Sequence, residues 1–276
     1  MGGSCSQGCK REFGCSSRNW GCSHDDPVLF GTSQWKCGPP VLFLLLHRLP
    51  WALLWLSYLV YDITTRVFDP MYFTFMTKWQ LIILVLNALV GLLVTCIIQT
   101  GHMRTKWNPL LGFYSVLWNI STAFAPAITL IYWAMIYDPA TSNADFITIV
   151  THVVNTAYTL LDVMVVAIPL RAYHFYHSAV VAGIYVIFAA VYNMTTGRLI
   201  YPLFNFREKP ASAAAFGIGG IAIGTAMWFV MFGLYHLRVL LAAKCIRGRN
   251  KLGDGQKEAE RTDPEFDKTE TETTEY

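Results

Sequence analysis

Charged side chains are scarce in this sequence, where they make up 14% of the 276 residues while hydrophobic residues make up 54%. An ordinary soluble domain carries about 25% charged residues, so this composition excludes one. The net charge is +3, and because residues 254–276 carry nine acids against three bases, the rest of the chain is basic. No nucleic-acid partner is expected. Nine tryptophans and fourteen tyrosines are typical of a protein that crosses a bilayer several times.

Cysteines are nearly missing from the apolar part of the chain. Five of the seven precede the first apolar run, and only Cys96 and Cys245 lie elsewhere, so no extracellular disulfide framework is expected. The first 35 residues also lack the apolar core of a cleavable signal peptide. We therefore expect the first spanning helix to direct the chain to the membrane.

Familiar catalytic patterns are absent as well. The sequence contains no Gly-x-Ser-x-Gly motif, no glycine-rich phosphate loop and no closely spaced set of zinc ligands. His174 and His177 are neighbours, but His152 lies far from them along the chain and Pro169 separates the two groups. We therefore predict no metal, no cofactor and none of the familiar soluble-enzyme chemistries.

Six long apolar runs predict an all-α fold, a polytopic bundle of six transmembrane helices. At 1.5 Å per residue, a run of about 20 residues crosses the roughly 30 Å of hydrocarbon in a bilayer, and only the fifth run is marginal in length. The runs cover residues 41–63, 79–98, 111–137, 146–170, 179–195 and 211–242.

Lysine and arginine in the connecting loops indicate the orientation. With the N-terminus in the cytosol, eleven of them lie on the cytosolic side and five, Lys78 among them, on the other. We therefore predict both termini in the cytosol. Residues 1–40 then form a cytosolic segment, 41–243 the six-helix domain, and 244–276 a basic juxtamembrane cluster with an acidic, disordered tail. Arg48, in the first run, is expected to snorkel to the nearer interface.

Polar side chains recur along the fourth run at helical spacing. Intervals of four, three, four and three residues place them on one stripe of a helix. Because ionisable groups are costly in hydrocarbon, the stripe is expected to face protein or water rather than lipid. It is either interhelical hydrogen-bonding contact or a buried polar site opposite Thr74. Its members are Thr148, His152, Asn155, Thr159 and Asp162.

Two neighbouring helices carry further packing signals. Thr129, beyond Pro126 in the third run, is expected to share polar contacts with the fourth helix. Gly220 and Gly224, four residues apart in the sixth run, form a pair of small residues that lets helices approach closely. This pair predicts packing within the bundle or, as the alternative, a homodimer.

The opening residues MGGSCS match the N-myristoylation pattern, with Gly2 as the acceptor. Cys5 and Cys9 could take palmitoyl groups, and a second acyl chain makes membrane attachment stable. The alternative is a chance match in a protein that six helices already hold in the bilayer. The remaining residues up to Trp35 are polar and are expected at the cytosolic surface.

Several short segments, taken in order, resemble the rolling stone family of six-helix membrane proteins, which is associated with myoblast fusion in insects. The likeness covers residues 13–244, and it implies a plasma-membrane protein that supports cell–cell fusion or membrane remodelling, with an endomembrane location as the alternative. Membrane lipids and fusion-machinery proteins are the implied partners. The segments are SQW at 33–35, YFTFMTKW at 72–79, HVVNTAYTLLD at 152–162, PLRAYH at 169–174 and IYPLFNF at 200–206.

The layout more distantly resembles the androgen-induced family of intramembrane hydrolases, which cleave fatty-acid esters of hydroxy fatty acids. That resemblance places the threonine nucleophile at Thr74 and further family positions at His152 and Thr156. Asn155, however, stands where the family has its catalytic histidine, and an amide cannot act as a general base. We therefore expect a non-enzymatic protein. The alternatives are a hydrolase with His152 as base, and a lipid-binding protein that kept the pocket and lost the chemistry.

The N-terminal motif yields a prediction about lipidation. We expect the wild type to incorporate alkyne-myristate at Gly2, and Gly2→Ala to abolish incorporation and change sorting without releasing the chain from membranes. Six helices hold the chain in the bilayer, so acylation is not needed for attachment. Absence of label from the wild type would refute this prediction.

Overall fold

The computed structural model describes residues 26–35, 39–66, 68–102, 108–140 and 144–262, with side chains as far as residue 246. Within these ranges six helices are long and apolar enough to cross a membrane, and there is no β-strand beyond one isolated bridge. The predicted all-α, six-span architecture is therefore confirmed. The candidate lipidation sites Gly2, Cys5 and Cys9 lie outside the described residues. The spans are α1 Pro40–Arg66, α2 Met76–Gln99, α3 Pro109–Ile136, α4 Phe146–Val165, α5 Ala172–Thr196 and α6 Pro210–Ile246, whose helix continues to Thr262.

Local sequence fixes several of the helix ends. The Asn108 side chain accepts a hydrogen bond from the Leu110 backbone N–H at the start of α3, and Asp145 accepts one from Thr148 at the start of α4. The bond from the Thr148 N–H lowers the pKa of the exposed Asp145 carboxyl. Gly197 ends α5 in the left-handed conformation, at φ 72°.

Two boundaries differ by five residues or more from those that the apolar runs predict. The fourth run was expected to reach residue 170, but α4 ends at Val165 and the next residue is extended. Proline cannot continue a helix, so Pro169 keeps the following segment extended. The fifth run was expected to begin at residue 179, but α5 begins at Ala172. Its first turns contain buried polar residues, which hydropathy alone assigns to a loop.

The polar composition of the segment before α1 predicts a location at the surface, but part of this segment is buried. Phe30 is fully buried in the main core cluster. Gln34 N–H donates to the Val165 carbonyl at 2.9 Å, and the Trp35 indole N–H donates to the Met164 carbonyl at 2.8 Å. The SQW segment therefore satisfies carbonyls at the C-terminal end of α4, which have no partner within that helix.

Three of the spans are interrupted by π-helical turns. They cover Leu44–Arg48 in α1, Tyr132–Ile136 in α3 and Val150–Val154 in α4. Such turns shift the register of a helix and often occur at functional sites. The turn in α1 contains the buried basic residues His47 and Arg48. The turns in α3 and α4 contain Tyr132 and His152, whose rings stack on each other.

The chain divides into two compact units, Met1–Tyr235 and His236–Tyr276. The first unit contains the four clusters of buried hydrophobic side chains. It also contains every lining residue of the cavity and every residue of the polar networks described below. The candidate site therefore lies within this unit.

Topology yields a second prediction. Lys78 and Arg171 are buried, so removing both from the loop charges changes the count from eleven against five to ten against four. We expect a glycosylation acceptor inserted between residues 138 and 144 to be modified, because the predicted orientation places this loop opposite the cytosolic side. An acceptor in the C-terminal tail should stay unmodified, and the reverse pattern would invert the topology.

Candidate functional site

A buried carboxylate on α4 joins three helices. Asp162 is 1% exposed, and it accepts hydrogen bonds from His47 Nε2 at 2.8 Å, Arg48 Nη1 at 3.1 Å and the Trp118 indole N–H at 2.6 Å. The first two donors lie on α1 and the third on α3. We call this set the Asp162 hub: Asp162, His47, Arg48 and Trp118.

The expectation that Arg48 snorkels to the interface is wrong. Its side chain is 2% exposed, and its guanidinium lies over the rings of Phe43 at 5.2 Å and Tyr114 at 5.6 Å. It also donates to the Phe30 carbonyl at 3.5 Å. The opposite charge of Asp162 and these aromatic faces compensate the guanidinium where it lies, so the side chain does not need to reach water.

The other members of the polar stripe have different surroundings. His152, Asn155 and Thr159 are buried, whereas Thr148, at the first turn of α4, is half-buried. The predicted contact between the third and fourth helices is confirmed, because the Thr129 hydroxyl of α3 lies within hydrogen-bond distance of the His152 carbonyl and the Thr156 hydroxyl. The Thr159 hydroxyl donates to a carbonyl of its own helix.

The sequence analysis does not predict a second buried ion pair, which the structure contains. Lys78 Nζ lies 2.6 Å and 2.9 Å from the two carboxylate oxygens of Asp62, and the Tyr72 hydroxyl donates to the same carboxylate at 2.6 Å. Burial raises the pKa of the Tyr72 phenol, with the bond to Asp62 as the next cause. An acid inside the first apolar run was the available signal, because such residues need a partner. Lys78 is therefore an internal contact rather than a topology-setting loop charge.

The histidines that follow α4 lie inside the protein. Asn119 Nδ2 lies 2.9 Å from His174 Nδ1 and 3.5 Å from His177 Nδ1. His152 belongs to another part of the bundle, where it contacts Tyr132. No group of three or more potential metal ligands occurs among the residues that the structure describes. These side chains therefore join α3 to the start of α5.

An apolar cavity of about 420 Å³ lies among the ends of the helices opposite the N-terminal side. Its walls come from α2, α3, α5, α6 and the connection between α5 and α6, and α4 contributes His152. The His152 ring stacks on Tyr132 of α3, with 3.6 Å between ring centroids and an interplanar angle of 4°. Its Nδ1 is buried without a hydrogen-bond partner among the described residues.

The predicted helix contact at Gly220 and Gly224 within the bundle is wrong. A Cβ added at either position would meet no atom within 4 Å, and both glycines line the cavity. Close approach occurs instead at Gly217, where a Cβ would lie 2.8 Å from a Val186 methyl group. At Gly220 and Gly224, by contrast, no neighbouring helix approaches α6 closely, so both positions border open space.

The structure does not assemble Thr74 and His152 into a nucleophile and base. The Thr74 hydroxyl donates to the Met71 carbonyl at 2.7 Å, and its own carbonyl accepts from the Tyr185 hydroxyl. Thr74 is not among the residues that line the cavity, although Thr77 is. A hydroxyl becomes a useful nucleophile only beside a base, and the unpartnered His152 Nδ1 does not supply one here.

Six apolar spans around buried ion pairs and an apolar cavity define a multi-pass membrane protein. The profile of the family described as protein rolling stone matches residues 6–246. The protein rolling stone of Drosophila melanogaster is 25% identical over 239 residues, which cover 80% of this chain and 86% of the fly protein. No solved structure matches the chain. The chain belongs to the rolling stone family.

The Asp162 hub yields a prediction about stability. Asp162→Asn leaves the buried Arg48 guanidinium without a counter-charge, which should lower the free energy of unfolding by about 3–5 kcal/mol. Thermal unfolding of the purified protein in detergent measures the loss. Asp145→Asn, the same change at the exposed N-cap of the same helix, is the matched control. It should alter stability little, because aspartate and asparagine are equally good N-cap residues.

A double-mutant cycle separates the ion pair from other effects of the same change. Asp162→Leu combined with Arg48→Met should lose much less than the sum of the two single losses, because neither partner is left charged and alone. Strict additivity of the two single losses would show that the pair is not coupled.

Proposed function

We propose that this chain is a non-enzymatic multi-pass protein of the plasma membrane that supports cell–cell fusion or membrane remodelling. The observation that carries the proposal is the family match over residues 6–246, taken with the myoblast-fusion association of the rolling stone family. Membrane lipids and proteins of the fusion machinery are its proposed partners.

The positions of the family-like segments support a role inside the membrane. Ser33, in the first segment, pairs with Val166 after α4, and Lys78, in the second, pairs with Asp62. The third segment includes His152 and Asp162. The fifth supplies a wall of the cavity. The segments that carry the resemblance thus build the interior of the six-helix body rather than an exposed apolar loop that could insert into a second membrane.

A loss-of-function experiment tests the cellular role. Depletion from a cell type that fuses should reduce the number of multinucleated cells, and re-expression of the wild type should restore it. Asp145→Asn should rescue as the wild type does, whereas the unstable Asp162→Asn should not. Surface biotinylation of the rescued cells tests plasma-membrane location. Normal fusion after complete depletion would overturn the proposal.

Enzyme assays test the non-enzymatic part separately. We expect no labelling of Thr74 by a fluorophosphonate probe and no hydrolysis of hydroxy-fatty-acid esters, because the Thr74 hydroxyl is bonded to Met71 and Asn155 cannot take its proton. Asn155→His is the gain-of-function variant and Thr74→Ala its control. Wild-type turnover that Thr74→Ala abolishes would establish the hydrolase alternative with His152 as the base.

A further inference from the structure

The cavity has the size and chemistry of a ligand site. Its volume of about 420 Å³ falls in the range of small-molecule pockets, roughly 300–1,000 Å³. None of its 22 lining residues is an aspartate, glutamate, lysine or arginine. A charged headgroup placed there would find no counter-charge, and burial of an unpaired charge is strongly unfavourable. The walls therefore favour an uncharged, largely apolar molecule.

One side chain in the wall has a buried ring nitrogen without a hydrogen-bond partner among the described residues. His152 is held flat against Tyr132, so the orientation of its ring is fixed, and its Nδ1 has no hydrogen-bond partner among the described residues. Tyr185 also lines the cavity, but its hydroxyl already donates to the Thr74 carbonyl and accepts from the Met76 N–H. Thr77, Tyr132 and Tyr201 also carry hydroxyl groups, but His152 is the lining residue with a ring nitrogen left for the hydroxyl or carbonyl group of a ligand.

Two glycines in α6 enlarge the space. A Cβ at Gly220 or Gly224 would meet no protein atom within 4 Å, and both residues line the cavity. Glycine is unfavourable within a helix, and close helix packing does not account for it here. Gly219 provides a contrast, because a Cβ there also meets no atom but the residue is not part of the cavity wall.

We propose that the cavity binds one molecule of an uncharged lipid, a sterol or a fatty alcohol, whose single hydroxyl group hydrogen-bonds to His152. The apolar walls contact the rings or chain of the lipid, and the space beside Gly220 and Gly224 accommodates its bulk. The lining residues belong to five of the six membrane-spanning helices and to the connection between α5 and α6. The proposal stands on the cavity and does not depend on the role in fusion.

Photolabelling of the purified full chain in nanodiscs tests the proposal. The probes are an alkyne-diazirine sterol, an alkyne-diazirine fatty alcohol, and charged comparators made from a fatty acid and phosphatidylcholine. We expect saturable labelling of cavity residues by the sterol, the fatty alcohol or both, and background labelling by the charged probes. The two neutral arms distinguish a ring lipid from a chain lipid. Equal labelling by all four probes, or by none, would overturn the proposal.

Matched variants locate the binding site. Gly220→Leu fills the cavity and should reduce neutral-probe labelling to background, whereas Gly219→Leu, the same change outside the cavity wall, should label like the wild type. Thermal unfolding shows whether each variant is folded, and Gly224→Leu replaces Gly220→Leu if the latter is not. Wild-type labelling of a folded cavity-filled variant would place the ligand elsewhere and refute the proposal.

A third variant tests the polar contact. His152→Phe keeps a flat ring against Tyr132 but removes both ring nitrogens, so labelling by the preferred neutral probe should fall roughly tenfold, as expected for one lost hydrogen bond. A diazirine probe with the same hydrocarbon and no hydroxyl should label His152→Phe and the wild type equally. Equal labelling of His152→Phe and the wild type by the hydroxyl-bearing probe would refute the role of His152. These measurements use purified protein, so their failure leaves the fusion role to its own test.

Discussion

The carboxylate of Asp162 is the group on which the arrangement of the helices depends most. It is buried within an apolar bundle, and it is bonded to two basic side chains of α1 and to the Trp118 indole of α3. A buried carboxylate or guanidinium without a partner would be strongly unfavourable. A shift of α1 relative to α4 would separate Arg48 from Asp162 and leave both charges unpaired. Arg48 extends the constraint to the N-terminal segment through the Phe30 carbonyl.

Charge elsewhere in the bundle follows the same rule. Lys78, near the start of α2, pairs with Asp62, near the end of α1. This pair lies at the end of α1 opposite to that of His47 and Arg48. A chain with 14% charged residues thus places some of its few charges inside, and the pairs Arg48–Asp162 and Lys78–Asp62 each join two helices. Buried ion pairs contribute little net stability compared with well-packed apolar residues, but an unmatched charge penalises every other arrangement. The two pairs therefore specify which helices are neighbours.

Hydropathy and helical spacing predict the six spans and the position of the polar stripe, because both depend on the period of a single helix. Contacts between helices are a different matter. Nothing near Arg48 in the sequence indicates that its partner lies 114 residues away. Val166, the first residue after α4, forms a bridge with Ser33, which is likewise remote in sequence. The spacing of Gly220 and Gly224 is compatible both with close packing and with open space, and only the position of the facing helix decides between them.

The two interpretations of the polar stripe, interhelical contact and buried site, apply at different depths of the same helix. Near its C-terminal end, Asp162 accepts hydrogen bonds from three side chains of neighbouring helices. In the π-helical turn near its start, His152 is stacked on Tyr132, while its Nδ1 has no hydrogen-bond partner among the described residues. A stripe that only joined helices would have both ends satisfied. The difference between the ends assigns structure to Asp162 and makes His152 the member suited to ligand binding.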